Sequence, residues 1–423
     1  MFDSLDQLSP PLGENELDEK LALVIGRSKG LRGRRARTRV LAGALSAALV
    51  LGAAAVVVRT DDHARASNRV TWQLVSDVSP SWQQLASVGY TSGFDLNCPS
   101  VLTCFAIDAE AKQVEVTTDG GDTWQHAALP DGFTPLSELA CAGPSSCSLI
   151  GTGGAEHLTM LTTDDGGSTW ITHLVGHWSV TASDGVPVLS CTSPTSCLAA
   201  VTTFDGSSTA SVTTFVTHDG GTSWSTSSLA PGFDPLGGAC LSVSCMLVGL
   251  DGHDSSRAAA YFSGDEGAGW AQAALPADVG PMTSISCSGP SSCFATSSSD
   301  VPGNRDPASV LASTDAGQSW RATDTSGLPN SILTSLSCAS GASCWASGVV
   351  VPTGTGPVIT FADAQGLLAS TADGGASWQA VQLPDGIRAV AQVSCPTTTT
   401  CFALAYDKPP TGSGSFVLLS RQG

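Results

Sequence analysis

Charge is scarce in this chain. Asp, Glu, Lys and Arg make up 13% of 423 residues, and the acids outnumber the bases by 37 to 18. A net charge of −19 repels a polyanion, which excludes nucleic acid as a partner for the chain as a whole. Aromatic residues are also few, at 6%. Apolar residues are not lacking: at 42% they exclude a disordered chain. At this length a single helical bundle gives way to several domains or one large repeat architecture.

The little charge present is unevenly placed. Residues 1–58 carry a net +2 and residues 59–423 a net −21. Between the two lies Val40–Val58, 19 residues without a charge. As a helix it would be about 28 Å long, close to the roughly 30 Å hydrocarbon core of a bilayer. Seven basic residues from Arg27 to Arg39 precede it, and Asp61 and Asp62 follow. The positive-inside rule puts residues 1–39 in the cytoplasm as a tail and everything after Arg59 outside the membrane. The run reads as a single-pass signal anchor followed by a juxtamembrane linker, 59–68. A cleavable signal peptide is the alternative, since Ala64-Arg65-Ala66 resembles a cleavage site.

Beyond the linker the chain repeats. The octet Thr117-Thr118-Asp119-Gly120-Gly121-Asp122-Thr123-Trp124 recurs at Thr163–Trp170, Thr217–Trp224, Ser263–Trp270, Ser313–Trp320 and Thr371–Trp378. Its pattern is Ser/Thr-x-Asp-x-Gly-x-x-Trp. Ahead of each octet stands a cysteine pair: Cys98 and Cys104, Cys141 and Cys147, Cys191 and Cys197, Cys240 and Cys245, Cys287 and Cys293, Cys338 and Cys344. A seventh pair, Cys395 and Cys401, follows the last octet. First members recur 43 to 57 residues apart, and the scheme uses all 14 cysteines. Short Val-, Thr-, Phe- and Leu-rich runs divided by Gly, Pro and Ser clusters read as four strands per unit. In the fifth unit these are Met282–Cys287, Cys293–Ser297, Val310–Thr314 and a strand starting at Trp320–Ala322. Four strands in a unit of about 50 residues make a β-propeller blade.

There are seven cysteine pairs but only six complete octets. The chain stops at Phe416–Gly423 with half an octet, and Thr71-Trp72-Gln73 matches the missing half. The N-terminal strand is therefore expected to pair with the C-terminal one inside the seventh blade, removing an open edge. The fold class predicted is an all-β, seven-bladed propeller over 69–423 with one disulfide per blade.

The octet resembles the Asp-box, or bacterial neuraminidase repeat, and the resemblance covers roughly 69–423. Families similar in this respect include sialidases, xyloglucan hydrolases, sortilin-type receptors and photosystem II assembly factors. The motif specifies architecture and is nearly silent about activity. Asp119, Asp165, Asp219, Asp265, Asp315 and Asp373 read as turn residues whose carboxylates accept backbone N–H bonds. The fifth-position Gly supplies positive φ. Trp124, Trp170, Trp224, Trp270, Trp320 and Trp378 fill the space beside neighbouring strands, with their N–H groups free to reach a carbonyl. The cysteine spacing is not that of a zinc knuckle and no His recurs beside it, so an exported chain uses these residues as disulfides. Across a hairpin their Cα atoms are expected about 5 Å apart, each bridge stabilising by roughly 2.4 kcal/mol on the loop-entropy model.

Strand order separates the two faces of the ring. Disulfide turns and Asp-boxes share one face. The other carries the loops that vary most, among them 247–259, 297–308, 348–366 and 407–415, together with the connections between blades. Variable loops on a rigid scaffold are where binding usually lives. The candidate ligand residues there are Asp131, Asp251, His253, Asp254, Asp300, Arg305 and Asp385, with Asp108, His157, Asp234 and Arg388 among the other polar residues of that face. Asp251-Gly252-His253-Asp254 is the one local cluster with two carboxylates and an imidazole, a weak signal for Ca2+ or Zn2+; no other cofactor is indicated.

Sialidases of the resembled family use an arginine triad, a Tyr–Glu nucleophile, an acid/base Asp and a Phe/Tyr-Arg-Ile-Pro segment. This chain lacks the segment, and Arg257, Arg305, Arg321 and Arg388 are scattered. The basic patch of photosystem II assembly factors is not apparent either. The reading is a membrane-anchored, extracytoplasmic platform that binds a protein or envelope ligand. The alternative is a glycoside hydrolase with paired carboxylates, although outside the boxes and the split box only Trp82, Trp178 and Trp345 remain of ten tryptophans.

Overall fold

A computed structural model describes residues 71–79, 94–109, 111–154, 157–177, 187–204, 210–229, 231–297, 309–351, 364–407 and 414–422. Residues 1–39, 40–58 and 59–68, read from the sequence as a cytoplasmic tail, a membrane anchor and a linker, lie outside them. All regular structure among the described residues is β, and none of it is a helix long and apolar enough to cross a membrane.

The first strand, β1 (Gln73–Asp77), stands apart from the sequential blades. Blade 1 is β2 (Phe94–Asn97), β3 (Cys104–Asp108), β4 (Gln113–Thr117) and β5 (Gln125–Ala127). Blade 2 is β6 (Phe133–Gly143), β7 (Ser146–Gly153), β8 (His157–Thr163) and β9 (Ile171–His177). Blade 3 is β10 (Val188–Cys191), β11 (Cys197–Phe204), β12 (Ala210–Thr217) and β13 (Ser225–Ser228). Blade 4 is β14 (Phe233–Leu241), β15 (Ser244–Asp251), β16 (Asp254–Ser263) and β17 (Ala271–Gln272). Blade 5 is β18 (Met282–Gly289), β19 (Ser292–Ser297), β20 (Ser309–Ser313) and β21 (Arg321–Ala322). Blade 6 is β22 (Ser331–Cys338), β23 (Cys344–Val350), β24 (Gln365–Thr371) and β25 (Gln379–Ala380). Blade 7 takes β26 (Ile387–Ser394), β27 (Thr400–Asp407) and β28 (Ser415–Gln422), and its fourth strand is β1.

Every blade is a four-stranded antiparallel sheet in simple meander order. The second strands read as continuous apolar runs, as in β27, because both faces of a blade are covered by its neighbours. The first strands β2, β6, β10, β14, β18, β22 and β26 each contact the first strands of both neighbouring blades, forming a closed inner ring. The core is accordingly not one cluster but seven, each drawing its residues from two adjacent blades.

Closure follows the expected route. β1 runs antiparallel to β28 with Gln73 opposite Ser420 and Asp77 opposite Val417. Trp72 is 4% exposed and meets Trp345 edge-on at 5.2 Å, while the Arg421 guanidinium lies 5.1 Å from the Trp345 ring centre. Ser76 ties this strand to blade 1: it donates to the carbonyl of Gly121 (2.6 Å) and accepts from the Trp124 indole (3.1 Å). The split blade is thus bonded to the blade it must seal against.

One sequence-based expectation is corrected. The stretch 247–259 was expected as a variable loop, but β15 and β16 run through it and leave only Gly252 and His253 between them. The run Asp-Gly-His-Asp-Ser-Ser-Arg is polar because the strand ends reach solvent, and Asp-Gly is a hairpin-turn signal.

Candidate functional site

The two faces of the ring are built differently, and hydrogen bonds locate the difference. In the third Asp-box, Thr217 donates through Oγ1 to Asp219 Oδ1 (2.8 Å) and accepts from the N–H of Gly221 (2.9 Å). Ser223 then donates its N–H to Oδ1 (2.9 Å) and its hydroxyl to Oδ2 (2.6 Å). The other boxes repeat the pattern, except that Gly269 offers only its N–H to Asp265. These bonds favour the ionised form and hold the carboxyls of Asp119, Asp165, Asp219 and Asp373 down to about 2. The lone pairs are spent inside the turn.

The boxes also reach outward. The N–H one residue past each box Asp donates to a carbonyl in the cysteine turn of the same blade, from Gly120 to Leu102 (2.8 Å) round to Gly374 to Ala342 (3.1 Å). The box glycine faces the preceding blade. At Gly317 φ is +80°, and a Cβ would collide with the Met246 side chain. The indoles of Trp224, Trp270 and Trp320 donate to the carbonyl of their own box glycine, as expected. Trp124 uses Ser76 instead, and the indole nitrogens of Trp170 and Trp378 are buried with no partner among the described residues.

All seven disulfides form as paired in the sequence. Their Cα atoms are 4.0–4.1 Å apart rather than about 5 Å. The reason is register: Cys141 sits directly opposite Cys147, and Cys338 opposite Cys344, where antiparallel strands approach most closely. Cys395 and Cys401 follow the same register, one step beyond the Ser394–Phe402 pair.

The bridges close the turns between first and second strands on the box face, where strand order put them. The second cysteine of each pair is in addition a core residue. Cys147 is only 2% exposed, and Cys401 is completely buried, as are Cys104, Cys293 and Cys344. Cys147 packs in the cluster between blades 1 and 2 with Phe105 and Leu149, and Cys401 in that between blades 6 and 7 with Trp345 and Val393. The physical reason is that Cys147 and Cys401 each lie one residue inside a second strand, which both neighbouring blades cover. No ligand can reach Cys147 or Cys401, so their sulfurs act only within the scaffold.

On the opposite face the candidates do not converge. Asp131 and Asp385 are exposed on the connections between blades 1 and 2 and blades 6 and 7. Asp251, His253 and Asp254 form the blade 4 hairpin, where each carboxylate has a local task. Asp251 accepts the N–H of His253 (2.8 Å), and Asp254 accepts both the N–H (3.1 Å) and the hydroxyl of Ser256. The imidazole of His253 packs on Gly232. No group of three or more His, Cys, Asp or Glu among the described residues is arranged to hold a metal ion. Asp300 and Arg305 lie outside the described residues. Two further loop-face assignments are corrected. Asp108 ends β3 fully buried and caps the N–H of Ala111 (2.8 Å). Asp234 lies within β14, where Thr202 of blade 3 donates to it (2.8 Å), and burial raises its affinity for a proton.

A half-open cavity of about 440 Å³ on this face is lined by Gln365, Gln382, Asp385 and Arg388 with Leu383 and Ile387. Arg388 Nε is buried there without a hydrogen-bond partner among the described residues. A cavity of 140 Å³ on the box face, at the seam of blades 3 and 4, is lined by Thr192, Ser196, Ser242 and Glu266.

Sequence reasoning missed a pair of carboxyls on the inner ring. Asp95 of β2 accepts the N–H of Leu96 (2.8 Å) and, across the seam, of Leu139 in blade 2 (3.0 Å). Glu138 of β6 accepts a backbone N–H from Leu189 of blade 3. Burial raises the Asp95 carboxyl to about 7. Burial and the neighbouring Asp95 charge raise Glu138 well above the ordinary range. Both residues stand three before the first cysteine of their blade, where Ser335 makes the same cross-seam bond to Val393 (3.4 Å). One position before the cysteine, Ser190, Ser286, Ser337 and Ser394 each accept the N–H of the next blade's first cysteine at 2.9–3.0 Å. Aligning the blades on their cysteines would have exposed the recurring serine one position before the cysteine, but not the carboxyls three before it, where other blades hold Val188, Gly237 or Gln392.

Neither a protein-family model nor a curated protein matches the sequence. Among solved structures the chain is similar to YCF48 from Cyanidioschyzon merolae, at 14% identity and a TM-score of 0.52 over 83% of this chain and 99% of that one. A structure of YCF48 bound to D1 peptide gives 14% and 0.49 over 83% and 96%. The Hadza microbial sialidase Hz136 gives 14% and 0.44 over 76% and 74%. What this chain shares with the Cyanidioschyzon merolae protein is its fold, a β-propeller, on which activity is decided by the site.

Proposed function

We propose that this chain is a membrane-anchored, extracytoplasmic binding or assembly platform that takes a protein or envelope ligand on its loop face. The observation that carries the reading is the asymmetry of the two faces. Box carboxylates are saturated within their own turns, whereas the loop face carries a half-open cavity of about 440 Å³ bordered by Asp385 and Arg388. The exposed Asp131 and Asp385, in a segment of net charge −21, favour a partner with cationic groups at its rim. The uncharged run Val40–Val58 between basic and acidic flanks supports anchoring with the propeller outside. That YCF48 has been seen bound to D1 peptide concerns that protein.

One observation favours a second reading. Asp95 and Glu138 are neighbouring carboxyls with raised proton affinity, and glycoside hydrolases work with two such groups. Both, however, accept cross-seam N–H bonds at the position from which Ser335 makes the same bond in blade 6.

Co-purification from native membranes separates the readings. Full-length protein is expected to bring down a near-stoichiometric partner, and Asp131→Lys/Asp385→Lys to lose most of it. Equal recovery by both forms would move the partner off this face. Glycan hydrolysis abolished by Asp95→Asn would establish the second reading instead.

A further inference from the structure

We propose that His157 and His177 form a binding site for a transition-metal ion of the Zn2+ class at the loop-face edge of blade 2. The two residues are direct cross-strand partners, one opening β8 and the other closing β9. Directly opposed residues project from the same face of a sheet. Their ring centres are 5.0 Å apart, with planes inclined at 52°. Two imidazoles on one tetrahedral zinc, each with a Zn–N bond of about 2.0–2.1 Å, have ring centres about 5 Å apart. The backbone register therefore already holds the rings at the spacing of a chelated ion.

Other features of the pair point the same way. His157 Nδ1 is buried without a hydrogen-bond partner among the described residues, although imidazole nitrogens buried in proteins are normally satisfied. His126 and His218 each lie 3.3 Å from a glutamate, Glu115 and Glu266, whereas no ion pair among the described residues involves His157 or His177. Every cysteine is in a disulfide, so no thiolate competes for the ion. Imidazole ligands select zinc, copper and nickel over calcium and magnesium. The pair supplies two ligands, which leaves coordination positions to water or to a donor on a docked molecule.

The site is independent of the platform reading, because the ion itself is the probe. Full-length protein stripped with chelator would be titrated with zinc sulfate, and separately with calcium chloride, by calorimetry. The expected result is one zinc equivalent and no calcium uptake. His157→Ala and His177→Ala should each weaken zinc binding by about tenfold or more, while His218→Ala leaves it unchanged. His177 is exposed, so His177→Asn serves as a second arm if loss of the half-buried His157 disturbs folding; melting curves of the metal-free variants report that. Zinc binding that survives both single substitutions, or no saturable binding by the wild type, would overturn the proposal.

Discussion

Deletion of Trp72–Asp77 from the full chain is expected to destroy the cooperative unfolding of the ring while the seven cysteine pairs remain. These residues are the fourth strand of the last blade, and removing them bares the edge of β28. Trp72 leaves a buried cavity against Trp345, a loss worth about 3–5 kcal/mol for a large aromatic. The ladder to β28 and the Ser76 bonds to Gly121 and Trp124 go with it, at about 1 kcal/mol each. The total, on the order of 5–10 kcal/mol, matches the entire stability of a typical domain. Trp72→Ala alone should lower the melting temperature by about 5 °C. Differential scanning calorimetry and limited proteolysis check both, and an unchanged transition in the deletion would refute the shared blade.

The second large effect is a stability profile that falls on both sides of mildly acidic pH. Asp95 and Glu138 hold a proton more tightly when folded than when unfolded, Asp95 moving from 3.8 to about 7. Their contribution is therefore present below about pH 4 and declines as pH rises through about 7. The box aspartates behave in the opposite sense. With folded values near 2, their contribution is present above about pH 4 and lost as pH falls through about 2. Asp95→Asn combined with Glu138→Gln keeps an acceptor at each site and removes the charge. At pH 8 the double variant should be more stable by about 4 kcal/mol or more, roughly 5–6 °C, since the Asp95 change from 3.8 to about 7 alone spans about 3 pH units at about 1.4 kcal/mol each. Near pH 4.5 the two proteins should melt together. A variant less stable at both pH values would mean that these carboxyls are needed ionised.

The architecture was legible because its signals are local. An octet that saturates its own turn and a cysteine pair that closes its own hairpin leave marks within eight residues, and counting them gives the blades. Even closure was readable, since Thr71-Trp72-Gln73 is half of a local motif. The depth of the bridges was not readable, because burial of Cys147 and Cys401 depends on the blades packed to either side. The inner ring was not legible either, because its bonds span blades. The acceptor on Asp95 meets a donor 44 residues away, and the same position holds Val188, Gly237 or Gln392 in other blades, so no repeat draws attention to it. His157 and His177 lie 20 residues apart in sequence, and only the β8–β9 register makes them partners. The blade 4 hairpin was misread for a different reason: polar strand ends carry the composition of a loop. Asp131 and Asp385 fell where strand order put them, on exposed connections of one face, but order alone could not find the cavity beside Asp385.

A stable loop face requires a rigid ring whose first and last strands share one blade. The most direct test is to introduce Gln73→Cys and Ser420→Cys together in the full-length protein and assay the new thiols without added oxidant. Opposed residues of an antiparallel pair lie about 4.5–5.5 Å apart, within disulfide range, and no native cysteine is free to compete. The account predicts spontaneous formation of an eighth disulfide and a higher melting temperature that reduction reverses. Two thiols that stay free and reactive in the folded protein would contradict it.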